Sequence, residues 1–370
     1  MNMAASVIQV GTARSQPGEI VYGQFDAVPL PTGSSDFFPV IIAQGHASAG
    51  PVLWITANIH GGEYDGLVTL HQLVRPDLLD HLTGTVIAIP TLSPAGLRIG
   101  ERSPYYLRGR DPNRIFPGLV GGEDEDEGAP PSALELAYER LFELVDATAD
   151  YLIDLHDYGI RAIPFAFRDP IFYREARDRP VARRLQQTVG EMLDALGLTI
   201  VNEYASEKYL KMNLHRSVSG AALNRARIPA TTIEIGGQLT VNVTYVQAVV
   251  VGIRNVMRWA GMLPGEPEPM PDVPVVRPGF PVRRTTHPRV PQACIVHHLV
   301  QPGDMVRAGD PVARMVDIYG RPVGSEDGLL RTDYDGFVMG LFPGIAFYPN
   351  EAVMGLAIPD DSDLIVQASE

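Results

Sequence analysis

The sequence predicts an α/β protein, a layered sheet with helices on both faces, followed by a smaller β-rich unit. Three observations predict it. Short apolar runs alternate with helix patterns as far as residue 262, and strands alternating with helices bury both faces of a sheet. Nine prolines then fall within residues 264–291, the composition of a semi-rigid linker or extended crossover. Beyond them, turn signals such as Gln301-Pro302-Gly303-Asp304 and Ala308-Gly309-Asp310-Pro311 separate short strands, the texture of a small barrel-like domain. The expected division is 1–262, a linker over 263–291, and a β-rich unit over 292–370.

Each element has its own justification. Residues 37–43, 51–58, 84–90, 151–155 and 231–235 are apolar runs of strand length. Helix patterns cover 66–74, 132–149, 180–196 and 242–261, with Ser132 a candidate N-cap for the second. The acidic run at 123–127, between a proline-glycine turn and that helix, reads as a solvated loop.

Charge and composition exclude several classes. With 30 basic against 44 acidic residues the net charge is −14. That field repels phosphate backbones and anionic lipid, so neither nucleic acid nor membrane is an expected partner. A single cysteine, Cys294, leaves no internal disulfide and fits a reducing compartment. The first residues show neither a basic region nor an apolar run. The most apolar window, 245–261, contains Arg254 and Arg258 and is too short to span a bilayer. A cytoplasmic location is expected.

The chemistry-bearing residues sit at strand ends, where α/β sheets gather ligands. His60-Gly61-Gly62-Glu63 follows the run at 51–58. A histidine and a glutamate three residues apart in such a turn can face one metal ion, which takes nitrogen and oxygen donors and keeps a position for water. They read equally as a turn histidine beside a glutamate favoured by a helix dipole. His156 ends the run at 151–155, as a ligand or as a hydrogen-bonded core histidine. Asp154, two residues earlier on the same face, is either the group that orients an imidazole or an ordinary buried acid. Glu234 lies inside the strand at 231–235, where a carboxylate is costly unless paired or used, and a general base or a buried salt bridge would each explain it. Gly236 and Gly237 would let a ligand or another backbone approach closely. The loop 98–118 holds five arginines, suited to a carboxylate or oxyanion, or to pairing with the acidic run.

Taken together, the residues resemble the succinylglutamate desuccinylase/aspartoacylase family, zinc-carboxypeptidase-like deacylases. N-I-H-G-G-E-Y-D-G at 58–66 is similar to the family's H-G-x-E-x-x-G segment. R-S-P at 102–104 with D-P-N-R-I-F-P-G at 111–118 looks like the R-x-S-P … N-L-N-R-x-F-P-G loop of the bacterial N-acyl amino acid deacetylase branch. L-I-D-L-H at 152–156 matches the D-L-H strand, and I-P-A-T-T-I-E-I-G-G at 228–237 matches the segment with the catalytic glutamate. The matching portion runs from about 36 to 262.

The resemblance implies a three-layer α/β/α fold with a mixed central sheet. It implies one Zn2+ per chain held by His60, Glu63 and His156, with Glu234 the general base and later the proton donor to the leaving amine. It makes Arg102 the group that polarises the scissile carbonyl, and Asn113 with Arg114 the pair that holds a substrate carboxylate. The interval from Arg102 to Asn113 is one residue longer than the family pattern, which leaves Arg108 and Arg110 as rivals. The family's tyrosines after Asn350-Glu351 are missing, which argues against a true aspartoacylase.

The expected activity is therefore zinc-dependent cleavage of the amide of an N-acyl amino acid or similar small amine. The alternative is a zinc carboxypeptidase acting on small peptides. A metal-free binding protein on a decayed hydrolase fold is disfavoured, because ligands and base are all intact. The expected partner is the small-molecule substrate, with homo-oligomerisation open. The β-rich unit resembles lipoyl- or biotinyl-carrier modules in its turns, but it contains no lysine to carry a cofactor. A cap over the cleft or a dimer contact is expected instead.

Overall fold

The computed structural model describes residues 7–117 and 130–368. The acidic run at 123–127 and Gly118 lie outside the described residues. In chain order, the elements that build the sheet and its cover begin with strands β1 (Glu19–Pro29), β2 (Ser35–Gln44) and β3 (Ala47–Ala57), helix α1 (Asp65–Leu73) and β4 (Thr83–Ile89). Helix α2 (Ala133–Thr148), β5 (Tyr151–His156), β6 (Phe165–Arg168), α3 (Arg179–Leu196), β7 (Thr199–Asn202), β8 (Ala230–Glu234) and α4 (Val243–Trp259) follow. The remainder is β9 (Val282–Thr286), β10 (Cys294–His298), β11 (Met305–Val306), β12 (Pro311–Val316), β13 (Leu329–Arg331), β14 (Gly336–Leu341), β15 (Ala346–Phe347) and β16 (Met354–Pro359).

A 13-stranded mixed sheet runs in the order β11-β14-β16-β9-β7-β6-β8-β5-β3-β4-β2-β1, with the short strand Arg161–Ala162 pairing to β14 off this path. At its centre β3, β5 and β8 are parallel neighbours. Helices cover both faces of parallel strands, so these read as nearly continuous apolar runs rather than alternating ones. Trp54, Ile55, Leu152, Ile153, Leu155 and Ile233 are accordingly fully buried in one large core. Helices α1 and α3 both pack on α4, while α2 packs against β1 and its Tyr138 hydroxyl donates to the Leu92 carbonyl at 3.0 Å. The result is the three-layer α/β/α arrangement. None of the described helices is long and apolar enough to cross a membrane.

Past residue 262 two features differ from expectation. The proline-rich stretch contains β9, a strand that pairs antiparallel with β16 and touches β7 in register Asn202 to Arg283. The later strands do not close into a barrel among the described residues. Instead β9, β16, β14 and β11 extend the large sheet, and a separate four-stranded sheet has the order β13-β12-β10-β15. A second apolar core including Val296, Val312, Met315 and Val338 fills this region. Tyr158, Phe165, Phe167 and Val201 meet Val282, Phe337 and Met339 in a third, which fastens the region to the α/β portion.

Helix α2 begins as its sequence requires. The Ser132 hydroxyl accepts from the Glu135 backbone N–H at 3.3 Å, and the Glu135 carboxylate accepts from the Ser132 N–H at 2.8 Å, a reciprocal capping box. Arg110 reaches the other Glu135 oxygen at 3.0 Å. Replacing Ser132 by Ala is expected to lower stability by about 1 kcal/mol, seen as a lower urea midpoint at unchanged slope. An unchanged midpoint would mean that the Arg110–Glu135 pair alone holds the helix start.

Candidate functional site

Three parallel strands ending side by side place the chemistry. Glu234 at the end of β8 lies in register with His156 at the end of β5. Ala57 at the end of β3 lies opposite Leu155, so the turn that follows β3 carries His60 and Glu63 to the same place. That turn is held from within. Asn58 occupies the left-handed region (φ 51°), and its side-chain amide donates to the carbonyls of His60, Gly61 and Glu63 at 3.1, 3.2 and 2.7 Å. Gly61 passes so close to the Gly96 backbone that a Cβ would sit 2.0 Å from it. Gly237 is needed for a similar reason, since its Cβ would lie 2.0 Å from the Ile160 carbonyl oxygen. The close approach there is by another backbone.

The Glu63 carboxylate stands between two imidazoles. His60 Nδ1 is 2.9 Å from Oε1 and His156 Nδ1 is 2.8 Å from Oε2. All three side chains are buried, and their donor atoms lie within 4.8 Å of one another. Each ring's other nitrogen faces a further carboxylate, His60 Nε2 with Asp111 at 3.0 Å and His156 Nε2 with Asp154 at 2.7 Å. Asp154 is fixed in turn by the Thr56 hydroxyl at 2.7 Å. A carboxylate at Nε2 holds the proton there and leaves the Nδ1 lone pair free. Two such lone pairs aimed at one carboxylate repel it unless positive charge lies between them, either protons on the rings or a metal ion. Burial alone would raise the Glu63 carboxyl, but the positive charge that the two imidazoles can carry outweighs it and holds the group well below the usual range. Two histidines and one glutamate, each backed by a hydrogen-bonding partner, are the donor set of a catalytic zinc site, so the residues fit such an ion.

Glu234 is also buried, and its Oε2 has no hydrogen-bond partner. Burial pushes its carboxyl up to about 7, the range in which a carboxylate can both accept and return a proton at neutral pH. Arg102 Nη2 donates to Asp111 at 2.7 Å, and its Nη1 stands 3.6 Å from Glu63. The Asn113 side-chain amide lies 3.3 Å from His156 Nε2, with its oxygen accepting from the Val218 N–H at 2.9 Å. Arg114 donates to the Asn113 carbonyl at 2.7 Å. All of these except Asp111 and Val218 line one cavity of about 300 Å³. Arg108 and Arg110 do not line it: Arg108 is exposed and Arg110 is engaged with Glu135.

Several participants escaped the sequence reading. Asp111, Asn58 and Gln238, whose amide donates to Glu63 at 3.1 Å, support the cluster from positions that only the folded chain brings near. Arg284 of β9 and Phe342 and Pro343 from the loop after β14 line the cavity too, so the β-rich region helps to wall it.

Fold and cavity together define an α/β protein with a histidine–carboxylate site at the carboxyl ends of its central parallel strands. The model of the succinylglutamate desuccinylase/aspartoacylase catalytic domain matches residues 49–260, and the chain belongs to that family. The family is one of deacylases, hydrolases of N-acyl amides, and that class is this chain's as well. An N-alpha-acetyl-L-2,4-diaminobutyric acid deacetylase of Halomonas elongata is 25% identical over 273 residues, which cover 73% of this chain and 71% of that protein. Among solved structures, the succinylglutamate desuccinylase/aspartoacylase from Rhodobacter sphaeroides has a TM-score of 0.70 at 19% identity, covering 93% of this chain and 96% of its own. The product-bound ectoine utilization protein EutE (DoeB) from Ruegeria pomeroyi has a TM-score of 0.71 at 19% identity, covering 95% and 98%.

Replacing Asp154 by Asn keeps the shape of the group behind His156 but removes its charge. Zinc affinity, read by competition with a chromophoric chelator, is expected to fall by about 10- to 100-fold. Unchanged affinity would reduce Asp154 to an ordinary buried acid.

Proposed function

We propose that the protein is a zinc-dependent hydrolase that cleaves the amide bond of an N-acyl amino acid or similar small N-acyl amine, with water as the attacking group. The observation that carries this reading is the Glu63 carboxylate between two Nδ1 atoms, with the partnerless Glu234 oxygen beside them. The activity named for the Halomonas elongata relative supports the choice of an N-acyl amino acid, and a cavity of about 300 Å³ suits a substrate of that size.

In this reading His60, Glu63 and His156 hold the ion. When bound, the ion supplies Lewis acidity that lowers the pKa of water and polarises the scissile carbonyl. Glu234 takes the proton from the attacking water and returns it to the leaving nitrogen, which its buried, raised carboxyl suits. Arg102 offers its guanidinium N–H groups to the oxyanion that develops on the carbonyl oxygen. Arg114, with the Asn113 amide beside it, holds the substrate carboxylate, for which the planar fork of arginine is well shaped. Residues 1–262 supply the ligands and the base, the stretch 263–291 supplies Arg284, and the portion 292–370 closes one side of the cavity through Phe342 and Pro343.

Two variants separate ligand from base. His156→Ala is expected to lose bound zinc. Glu234→Gln is expected to keep zinc at full stoichiometry and lose turnover by about two to four orders of magnitude. Metal analysis and single-turnover rates on the purified proteins decide it, and full zinc in His156→Ala would remove that residue from the ligand set. Primary-amine release from N-acyl amino acids and from N-blocked dipeptides, with Glu234→Gln as the blank, tests the reaction itself. Cleavage confined to acyl amino acids is the expected result; release from the dipeptides would make the chain a carboxypeptidase.

A further inference from the structure

Tyr158 lies two residues beyond His156, and the β-rich region is shaped to receive its ring. Strands β14 and β16 pair with Gly340 directly opposite Gly355, which leaves a slot without side chains on the sheet. A Cβ on Gly340 would lie 2.8 Å from Tyr158 Cδ1, and one on Gly355 would lie 2.2 Å from the Tyr158 hydroxyl oxygen. Neither glycine has a left-handed backbone, so the ring, and not a turn, requires glycine at both places. Phe165 packs edge-on with ring centroids 5.4 Å apart, and Phe342 lies tilted at 5.7 Å. With two glycines and two aromatic rings against it, the side chain is held in one orientation.

This seat leaves the hydroxyl open. Tyr158 is 8% exposed and lines the cavity, yet its hydroxyl bonds to no group among the described residues. A buried phenol ordinarily finds a partner, because its O–H gives up water when the ring is buried. The surroundings point to the charge of that partner. Gly355 is in register with Thr286 of β9. Arg284, two residues earlier on the same strand, shares its face with Thr286 and also lines the cavity. Its guanidinium lies 4.6 Å from the centre of the Phe167 ring and 4.2 Å from that of Tyr204, and pairs with Glu203 through Nε. No described residue accepts from its Nη atoms. The charges of Arg284 and Glu234 both reach the Tyr158 phenol, and that of Arg284 reaches Arg114 as well. A neutral phenol is a donor, and a donor in the company of guanidinium groups suits an anionic oxygen. The carboxylate of an N-acyl amino acid is one carbon from the amide nitrogen, so an amide placed at Glu234 brings its carboxylate into this part of the cavity.

We propose that Tyr158 is a substrate-binding residue whose phenol O–H donates a hydrogen bond to the carboxylate that Arg114 also holds. The proposal deepens the deacylase reading and rests on it for the placement of the substrate. It also gives the β-rich region a task in binding. By pairing Gly340 with Gly355, that region fixes the direction of a donor that belongs to the α/β portion.

The test compares the zinc-loaded wild type with Tyr158→Phe, which keeps the ring contacts and removes only the hydroxyl. The substrate is the N-acyl amino acid cleaved fastest in the amine-release assay, and the inhibitors are its product amino acid and the carboxamide of that amino acid. Tyr158→Phe is expected to raise KM and the Ki of the amino acid by about 10- to 100-fold, as for a hydrogen bond to a charged group. The same variant should change kcat and the Ki of the carboxamide by less than about threefold. A fall in kcat at unchanged KM would assign the phenol to the reaction at Glu234 and overturn the proposal. An equal loss for amino acid and carboxamide, or no loss for either, would overturn it too. If no N-acyl amino acid is cleaved, the deacylase reading has failed and binding decides. Calorimetry with Nα-acetyl-L-alanine and Nα-acetyl-L-alaninamide should then show a preference for the carboxylate that shrinks at least about tenfold in Tyr158→Phe. A preference that is absent, or unchanged in the variant, would overturn the proposal.

Discussion

The site depends on one carboxylate held between two imidazoles whose other nitrogens are already spoken for. Asp111 and Asp154 stand against the Nε2 atoms of His60 and His156, so both Nδ1 atoms face the Glu63 oxygens. Buried lone pairs and a buried anion at such distances need positive charge among them, and protons or a dication are the available sources. The supports from Thr56, Asn58 and Gln238 serve to keep this arrangement when its components would otherwise move apart.

The fold supplies the arrangement through parallel strands. Because β3, β5 and β8 run in one direction side by side, their carboxyl ends coincide, and residues far apart in sequence come together without long loops. The same geometry repeats one step further along the sheet. Strands β6 and β7 also run parallel, and the residues after them, Asp169 and Glu203, reach the same cavity. One sheet therefore presents two groups of polar side chains to one space. The β-rich region that extends the sheet through β9 contributes the guanidinium that pairs with Glu203.

What the sequence made legible was governed by locality. The strands at 37–43, 51–58, 84–90, 151–155 and 231–235 fall within β2, at β3, at β4, within β5 and at β8, and the four helix patterns fall on α1 to α4, because burial on both faces imposes apolar runs and helix caps impose local patterns. The cluster of His60, Glu63 and His156 was legible because each member ends a strand or sits in the turn that follows one. The part played by Asp111 was not legible, since it depends on His60, 51 residues away. Arg284 was hidden for a different reason. Prolines on either side made 263–291 read as a linker, although Val282, Thr285 and Thr286 carry the β-branched side chains of a strand. The β-rich region was legible but closure into a barrel was not, because short strands and turns are common to barrels and to open sheets, and only pairing distinguishes them.

The central claim, that a metal ion lies among Glu63, His60 and His156, is tested most directly by anomalous diffraction at the zinc edge from crystals of the purified protein. The account predicts one strong peak per chain, bounded by the Nδ1 atoms of both histidines and the Glu63 carboxylate. Crystals grown with zinc that show the two rings hydrogen-bonded directly to Glu63, with any anomalous peak elsewhere, would contradict it.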